Sequence, residues 1–136
     1  MVRHDRIGDV RATLAKSVGV AITGTIYSST VTAGDHEYLT LVTQHYSQTG
    51  TKDYTVTLED SPDNSTFTAI PGGSLTRTGS GAPENGEDLI ILDRRKAGRY
   101  VRAKFTATTA FSVSAVWLLE GDKNQNLITR ANVLVV

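Results

Sequence analysis

The sequence contains no cysteine, which excludes disulfides, thiolate chemistry and cysteine-ligated zinc sites. It also has no net charge, because 14 Lys and Arg residues balance 14 Asp and Glu residues. Nonspecific nucleic-acid binding needs a basic excess that displaces counterions, so we expect no nucleic-acid partner. The sequence also lacks an apolar run of about 18 residues and a secretory signal, and we therefore expect no membrane partner and no export by a signal of its own.

Alternation with a period of two is the dominant pattern. Tyr54, Val56 and Leu58 point to one side of their segment, and the polar residues between them point to the other. Residues 60–65, with the sequence DSPDNS, then supply turn chemistry, since Pro fixes φ and Asp and Asn side chains bond to nearby backbone. The pattern predicts two strands joined by a tight polar turn.

About eight short strands are predicted along the 136 residues, with turn signals about every 8–12 residues. This spacing is typical of an all-β fold, namely a single antiparallel β-sandwich or jelly-roll-like domain. We predict an N-terminal arm at residues 1–16, the sandwich at 17–122, and a C-terminal strand-like tail or closing strand at 123–136. The arm is either extended, partly helical or frayed. The tail either closes the domain's own sheet or adds to a neighbouring subunit.

Two further boundaries are predicted from turn-forming residues. The return strand that begins at Phe67 is expected to end at the Pro71-Gly72-Gly73 sequence. A turn at Thr108 and Thr109 is expected to separate one strand, with Arg102 and Lys104 pointing outward, from the next.

The sequence shows no catalytic motif. The Gly-rich segments at 72–76 and 79–81 match neither a nucleophile elbow nor a phosphate-binding loop, because no helix follows them. The acidic pairs Glu59–Asp60 and Glu87–Asp88 are interpreted as solvated sheet edges rather than as paired catalytic carboxylates. We therefore predict that the protein is not an enzyme.

No metal site or cofactor is predicted. His36 and His45 are too far apart in sequence for a local metal motif, although they could meet across a sheet. Asp35, His36 and Glu37 are adjacent strand residues, which point to opposite faces and do not converge on an ion.

The aromatic residues allow two interpretations. Tyr38, Tyr46, Tyr54 and Trp117 either form a platform on which a sugar stacks or belong to the core. Aromatic side chains at alternating strand positions more often belong to the core, which is the interpretation we favour.

Residues 58–70 (LEDSPDNSTFTAI) and 98–106 (GRYVRAKFT) resemble a hairpin and a later strand of small virion proteins of tailed bacteriophages. The resemblance covers about residues 54–119 and is strongest to the β-sandwich decoration, or cement, proteins of capsids. It implies a structural protein, often a homotrimer, that binds the major capsid protein on the outer capsid surface after assembly in the bacterial host cytoplasm. Other phage proteins carry similar hairpins, so a carbohydrate- or receptor-binding β-sandwich and a head–tail or tail structural protein remain alternatives.

The resemblance carries over no binding residue, so candidate interface residues come from charge and position. Clustered cations are either a solvated face or a docking site for an acidic protein surface. Terminal segments can order on a neighbouring subunit, and symmetric repetition lets weak contacts act together. The candidate interface residues are Arg3, Arg6, Arg11, Arg94, Arg95, Arg102, Lys104, Val133 and Val135.

Overall fold

The computed structural model describes residues 10–16, 22–34, 36–47, 54–78, 84–120 and 133–135. The described strands are β1 (Val10–Lys16), β2 (Ile22–Tyr27), β3 (Val31–Thr32), β4 (Tyr38–Ser47), β5 (Tyr54–Ser61), β6 (Thr68–Arg77), β7 (Glu84–Asp93), β8 (Tyr100–Glu120) and β9 (Val133–Val135). A 3-10 turn, Arg94–Lys96, joins β7 to β8. The predicted all-β fold is confirmed, and the described residues include no helix that is long and apolar enough to cross a membrane.

The strands form two sheets. The first sheet has the order β1-β8-β4-β7-β9, and the second places β2 and β3 on one side of β8 and β5 followed by β6 on the other. Strand pairs are antiparallel except for β7 with β9, which is parallel. The two sheets pack face to face as a sandwich, and β8 belongs to both.

Strand β8 contradicts the predicted turn at Thr108 and Thr109. Its first part, up to Phe111, pairs in the second sheet, and its last part, from Ser112, pairs in the first. Residues 107–112 include neither Gly nor Pro, and threonine favours extended backbone, so the chain passes from one sheet to the other without a break. The prediction was wrong because a polar dipeptide was interpreted as a turn without a residue that enforces one.

The core lies between the inner faces of the sheets and follows the predicted alternation. In the first sheet, Leu41 pairs with Ile90 on one side and Trp117 on the other, and all three are fully buried. In the second sheet, Val56 pairs with Phe105, and both are fully buried. Each apolar side chain of this size contributes about 1.5–3 kcal/mol when it is fully buried, so these rows supply much of the stability.

Strand β6 also differs from the prediction, because it continues through Pro71 to Arg77. Two local features permit this. The ladder between β5 and β6 shifts register between Thr57 and Glu59, and Gly72 adopts a φ of 77°, which glycine tolerates. Among the described strands β6 is an edge, where a proline without an N–H is tolerated.

The terminal segments that the structure describes are both paired. Residues 10–16 form β1 and pair with the last part of β8, and β9 pairs with β7 at Leu89–Ile91. In this structure the described part of the tail therefore lies on the chain's own sheet. The rest of the predicted arm and tail lies outside the described residues, and the division at 16 and 122 stays a prediction.

Candidate functional site: the outer face of the second sheet

The outer face of the second sheet is polar, because every second residue of its strands points away from the core. The predicted outward positions Arg102 and Lys104 lie on this face, beside Tyr27 of β2. Tyr27 is 43% exposed and is the one exposed large hydrophobic side chain in the described part of the chain. This face therefore offers an aromatic ring next to an arginine, and both residue types are enriched in protein–protein interfaces.

Arg102 is held on this face by three side chains. Its guanidinium carbon lies 4.0 Å from the ring centroids of both Tyr27 and Phe67. Its Nε atom donates a hydrogen bond of 2.8 Å to Oε2 of Glu59. Cation–π contacts and a charged hydrogen bond each favour one guanidinium orientation, so Arg102 is fixed before any partner binds.

Strand register explains how these residues meet. Glu59 stands directly opposite Arg102 in the β5–β8 ladder, and Tyr27 stands opposite Lys104 in the β2–β8 ladder. Tyr27 is therefore the diagonal neighbour of Arg102, within reach of a long side chain. Phe67 follows the turn that leads from β5 to β6. The sequence predicted Arg102 and Lys104 as outward residues but missed Tyr27, Phe67 and Glu59, because pairing between distant strands is not visible in a local pattern.

Hydroxyl groups cover the neighbouring part of the face. Thr55 Oγ1 lies 3.0 Å from Thr76 Oγ1, and Thr57 Oγ1 lies 3.0 Å from Ser74 Oγ. These pairs satisfy one another across the β5–β6 ladder. They make this part of the face polar, and the aromatic and cationic groups are concentrated around Arg102.

The turn before β8 presents further cations from a fixed backbone. Asp93 caps the turn by accepting a hydrogen bond of 2.9 Å from the Arg95 N–H, and Gly98 donates one of 2.7 Å to Oδ2 of Asp60. Ala33 donates another of 2.8 Å to the Arg99 carbonyl oxygen. Hydrogen bonds from Arg95 also hold the pKa of the Asp93 carboxyl below its ordinary value. These contacts connect the turn to two other segments of the chain, at Ala33 and at Asp60.

The turn at residues 61–66 shows the predicted chemistry. Asp63 Oδ1 accepts hydrogen bonds of 3.0 Å and 3.1 Å from the backbone N–H groups of Ser65 and Thr66. These bonds stabilise the ionised form and lower the pKa of Asp63 below its ordinary range. Asn64 has a φ of 61°, a left-handed conformation that Asn tolerates better than most residues.

The candidate interface residues fall into three groups. Arg102 and Lys104 lie on the outer face, and Arg94 and Arg95 are exposed in the neighbouring turn. The remaining candidates are distant in sequence from these four. Arg11 lies in β1, Val133 and Val135 lie in β9, and Arg3 and Arg6 lie outside the described residues.

A buried polar cluster lies between the two sheets, and it was not predicted. Asp88 of β7 accepts hydrogen bonds from Nε of Arg77, at 2.9 Å, and from Nη2 of the same side chain. His45 of β4 places Nδ1 3.6 Å from Asp88 Oδ2, and its ring packs against Tyr54 with 5.1 Å between centroids. Thr43 of β4 is also fully buried and stands opposite Asp88 in the β4–β7 ladder.

Asp88 corrects the expectation that the Glu87–Asp88 pair is a solvated sheet edge. The Asp88 side chain is fully buried, because the Arg77 guanidinium reaches it from the other sheet and compensates its charge. The alternation contained a usable signal, since position 88 has the same parity as the buried residues Ile90 and Leu92. The expectation of a solvated edge was wrong for Asp88 because it considered the charge of the residue and not the parity of its position.

The buried cluster has the character of a structural contact between the sheets. Asp88 Oδ1 faces the Arg77 guanidinium and Oδ2 faces His45 Nδ1. Burial is the main cause that raises the pKa of the neighbouring Tyr54 above its ordinary value. His36 lies before the start of β4, and nine residues of extended chain, about 30 Å, separate it from His45. The described residues contain no group of three or more His, Asp or Glu side chains that could hold a metal ion.

The favoured core interpretation of the aromatic residues is confirmed for two of the four side chains. Trp117 is fully buried and Tyr54 is 3% exposed, so both belong to the core. The Trp117 ring nitrogen lies 3.4 Å from Ser28 Oγ and donates a hydrogen bond to it. Tyr38 is only partly buried, and the side chain of Tyr46 lies outside the described set. A sugar cannot stack on the two rings that lie between the sheets.

Comparison with known proteins agrees with this architecture. No protein-family model and no curated protein matches the sequence. Among solved structures, the exported protein XepA of PBSX matches 88% of the chain with a TM-score of 0.52 and 13% identity, over 40% of its own length. A structure of the Gx strain of infectious bursal disease virus matches 85% of the chain with a TM-score of 0.50 and 11% identity, over 34% of its own length.

A third match extends the same pattern. The structure of the T13 particle of infectious bursal disease virus matches 82% of the chain with a TM-score of 0.51 and 10% identity, over 30% of its own length. The chain thus spans two fifths or less of each of these matched chains. At such low identity the similarity shows a shared β-sandwich fold and no more.

Proposed function

We propose that the protein is a structural virion protein of a tailed bacteriophage, which binds the outer surface of the capsid and stabilises it by multivalent protein–protein contacts. The resemblance of the 58–70 hairpin and the 98–106 strand to decoration proteins supports the proposal. The fold shared with the exported protein of PBSX and with chains of infectious bursal disease virus is compatible with it. The observation that carries it is the preassembled group around Arg102.

Arg102 has the properties of an interface hot spot. Arginine and tyrosine are enriched among residues whose truncation costs about 2 kcal/mol or more of binding free energy. Because Tyr27, Phe67 and Glu59 already fix the guanidinium, little side-chain entropy remains to be lost on binding. The remaining guanidinium N–H groups can donate to a partner carboxylate or carbonyl oxygen. The group around Arg102 therefore gives the outer face the properties of a protein-binding surface.

Attachment by many copies makes modest contacts sufficient. If the protein associates as a homotrimer and binds the major capsid protein, binding of one subunit holds the other subunits near their own sites and so raises their effective concentration there. Arg3, Arg6, Arg11, Val133 and Val135 are then candidates for contacts between subunits. Such a role requires neither a catalytic step nor a cofactor, and it places the protein on the capsid surface after assembly in the bacterial cytoplasm.

The test is co-sedimentation of purified protein with capsids that lack it, together with light scattering for the oligomeric state. We expect saturable binding by the wild type and at least about tenfold weaker binding by Arg102→Ala. Arg102→Lys keeps the charge but loses the planar stacking surface, so its affinity should be intermediate. Gln44→Ala, on an exposed position of the first sheet, is the matched control.

Either of two results would contradict the proposal. One is a wild-type protein that does not sediment with capsids. The other is Arg102→Ala protein that is folded and binds as tightly as the wild type. Binding to purified host glycans instead of capsids would favour the receptor-binding alternative, and a solution monomer would remove the trimer from the proposal.

A further inference from the structure

We infer that the turn before β8 is a second docking surface, which recognises an acidic segment of a partner protein through Arg94, Lys96 and Arg99. We call these three residues the basic end. The inference concerns a surface other than the group around Arg102, and it stands whether or not the partner is a capsid. It identifies the chemistry of the partner as a run of carboxylates.

The first argument is a contrast in charge pairing. Arg77, Arg95 and Arg102 each form an ion pair, with Asp88, Asp93 and Glu59 respectively. The three residues of the basic end form no ion pair within the described part of the chain. The Arg99 guanidinium carbon lies over the Tyr100 ring, 5.3 Å from its centroid.

The second argument is that the nearest carboxylates are already engaged. Asp93 binds the Arg95 side chain, and Asp60 accepts hydrogen bonds from Gly98 and Thr68. The Asp63 carboxylate caps its own turn. Glu37 lies close enough to Arg95 to help raise the pKa of that guanidinium. Lys96 also helps to lower the pKa of Asp93 through its charge, but no described carboxylate forms an ion pair with Arg94, Lys96 or Arg99. Most of the charge of the basic end is therefore available to a partner.

The third argument is rigidity. Hydrogen bonds from Arg94 N–H to the Glu37 carbonyl oxygen, at 3.0 Å, and from Ala97 N–H to the Arg94 carbonyl oxygen, at 3.0 Å, fix the turn backbone. The Gly98–Asp60 bond fixes its far end. Cations on a fixed backbone lose less freedom on binding than cations on a free loop. All three side chains project from exposed positions of this backbone.

The fourth argument favours a protein over a nucleic acid as the partner. Arginine binds carboxylates with a planar pair of donors, and a local positive patch steers an acidic surface into register. Nucleic-acid binding proteins usually add a general basic excess and free aromatic faces for bases. This chain has no net charge, and the Arg99 guanidinium already covers the Tyr100 ring.

The experiment measures binding of a fluorescent oligoglutamate peptide to the full chain by anisotropy. The triple variant Arg94→Glu, Lys96→Glu, Arg99→Glu should bind at least about tenfold more weakly than the wild type. Wild-type binding should weaken between about 0.1 M and about 1 M salt, since the screening length falls from about 10 Å to about 3 Å. Circular dichroism confirms that the variants are folded.

A matched pair of single variants separates local recognition from net charge. Lys96→Gln and Gln44→Glu each lower the net charge by one, the first in the basic end and the second on the first sheet. Gln44 pairs with Glu87, whereas the turn follows Asp93, so the two sites lie about 20 Å apart along the sheet. We expect Lys96→Gln to weaken peptide binding and Gln44→Glu to leave it unchanged.

Three outcomes would overturn the inference. The triple variant could bind oligoglutamate as tightly as the wild type, or Gln44→Glu could match the loss of Lys96→Gln. A single-stranded oligonucleotide could also bind more tightly than the peptide at equal salt, which would identify a nucleic acid as the partner. Failure of capsid binding by Arg102→Ala leaves the inference intact, because the peptide assay does not use that face.

Discussion

Arg77 on β6 reaches across the sandwich to Asp88 on β7, so one ion pair joins the second sheet to the first. The Asp88 side chain is fully buried, and the Arg77 side chain is 34% exposed. A buried carboxylate without a counter-charge is costly, whereas an isosteric apolar pair is often tolerated. Substitutions of these two residues should therefore have non-additive effects on the free energy of unfolding.

Removing one partner of this pair should destabilise the fold strongly. Arg77→Met leaves Asp88 buried without its cation, and we expect a loss of about 3–5 kcal/mol in the free energy of unfolding. The double variant Arg77→Met, Asp88→Leu removes both charges and should recover part of that loss. Urea unfolding of both single variants and the double variant measures the coupling, and simple additivity of the single effects would contradict it.

Gly86 should not tolerate a side chain, because the His45 ring occupies the space where its Cβ would lie. A Cβ at Gly86 would come within 2.7 Å of His45 Cε1 and 2.9 Å of Nε2. We expect Gly86→Ala to cost about 1–3 kcal/mol, measured by thermal or urea unfolding.

The control for Gly86 is compensation at position 45. In a His45→Ala background the clash is absent, so adding Gly86→Ala should cost much less than it does in the wild type. An equal cost in both backgrounds would show that the backbone of β7, and not the His45 ring, disfavours a side chain at position 86.

Tyr54 should make the fold sensitive to alkaline pH. Its pKa is raised above the ordinary value of 10.0, chiefly by burial. The stabilising contribution is complete below pH 10 and is lost as the pH rises from there through the folded-state pKa, because the unfolded chain releases the proton first. In that window the free energy of unfolding should fall by about 1.4 kcal/mol per pH unit on account of this group.

Unfolding titrations from pH 8 upward measure this effect, with Tyr54→Phe as the test variant. Tyr54→Phe loses a hydroxyl contact and starts from lower stability, but its alkaline slope should be shallower than that of the wild type. Tyr27→Phe, which removes an exposed phenol, keeps Tyr54 and should keep the steep slope. Equal slopes for all three proteins would contradict the prediction.

Asn64 should be replaceable by glycine but not by a β-branched residue. Its φ of 61° is strained for most side chains, and a valine there should cost about 1–2 kcal/mol. Asn64→Gly should stay within about 0.5 kcal/mol of the wild type. Hydrogen exchange at the Ser65 and Thr66 amides, which Asp63 caps, reports the local effect, and equal protection in both variants would contradict it.

The sequence predicted those parts of the fold that local pattern determines. The alternation in β5 placed Val56 and Leu58 in the core, and the Asp63 turn formed where its side-chain chemistry required. The outward positions of Arg102 and Lys104 followed from the same alternation.

The remaining features depend on pairing between distant segments. Asp88 is buried because Arg77 comes from another sheet, and Arg102 is fixed because Tyr27 and Phe67 come from β2 and from the segment before β6. The continuity of β8 past Thr108 depends on neighbours on both of its edges. The parity of position 88 indicates burial, but the partners in these relationships have no signature within a window of a few residues.

Strand β8 has a mechanical consequence for any molecule that works by adhesion. Because one continuous stretch of backbone contributes to both layers, a pull applied to either layer reaches the other through covalent bonds as well as through side-chain packing. Peeling one layer away requires rupture of hydrogen bonds along the shared backbone. The layers should therefore yield together, in a single event, when the molecule is stretched between two attached neighbours.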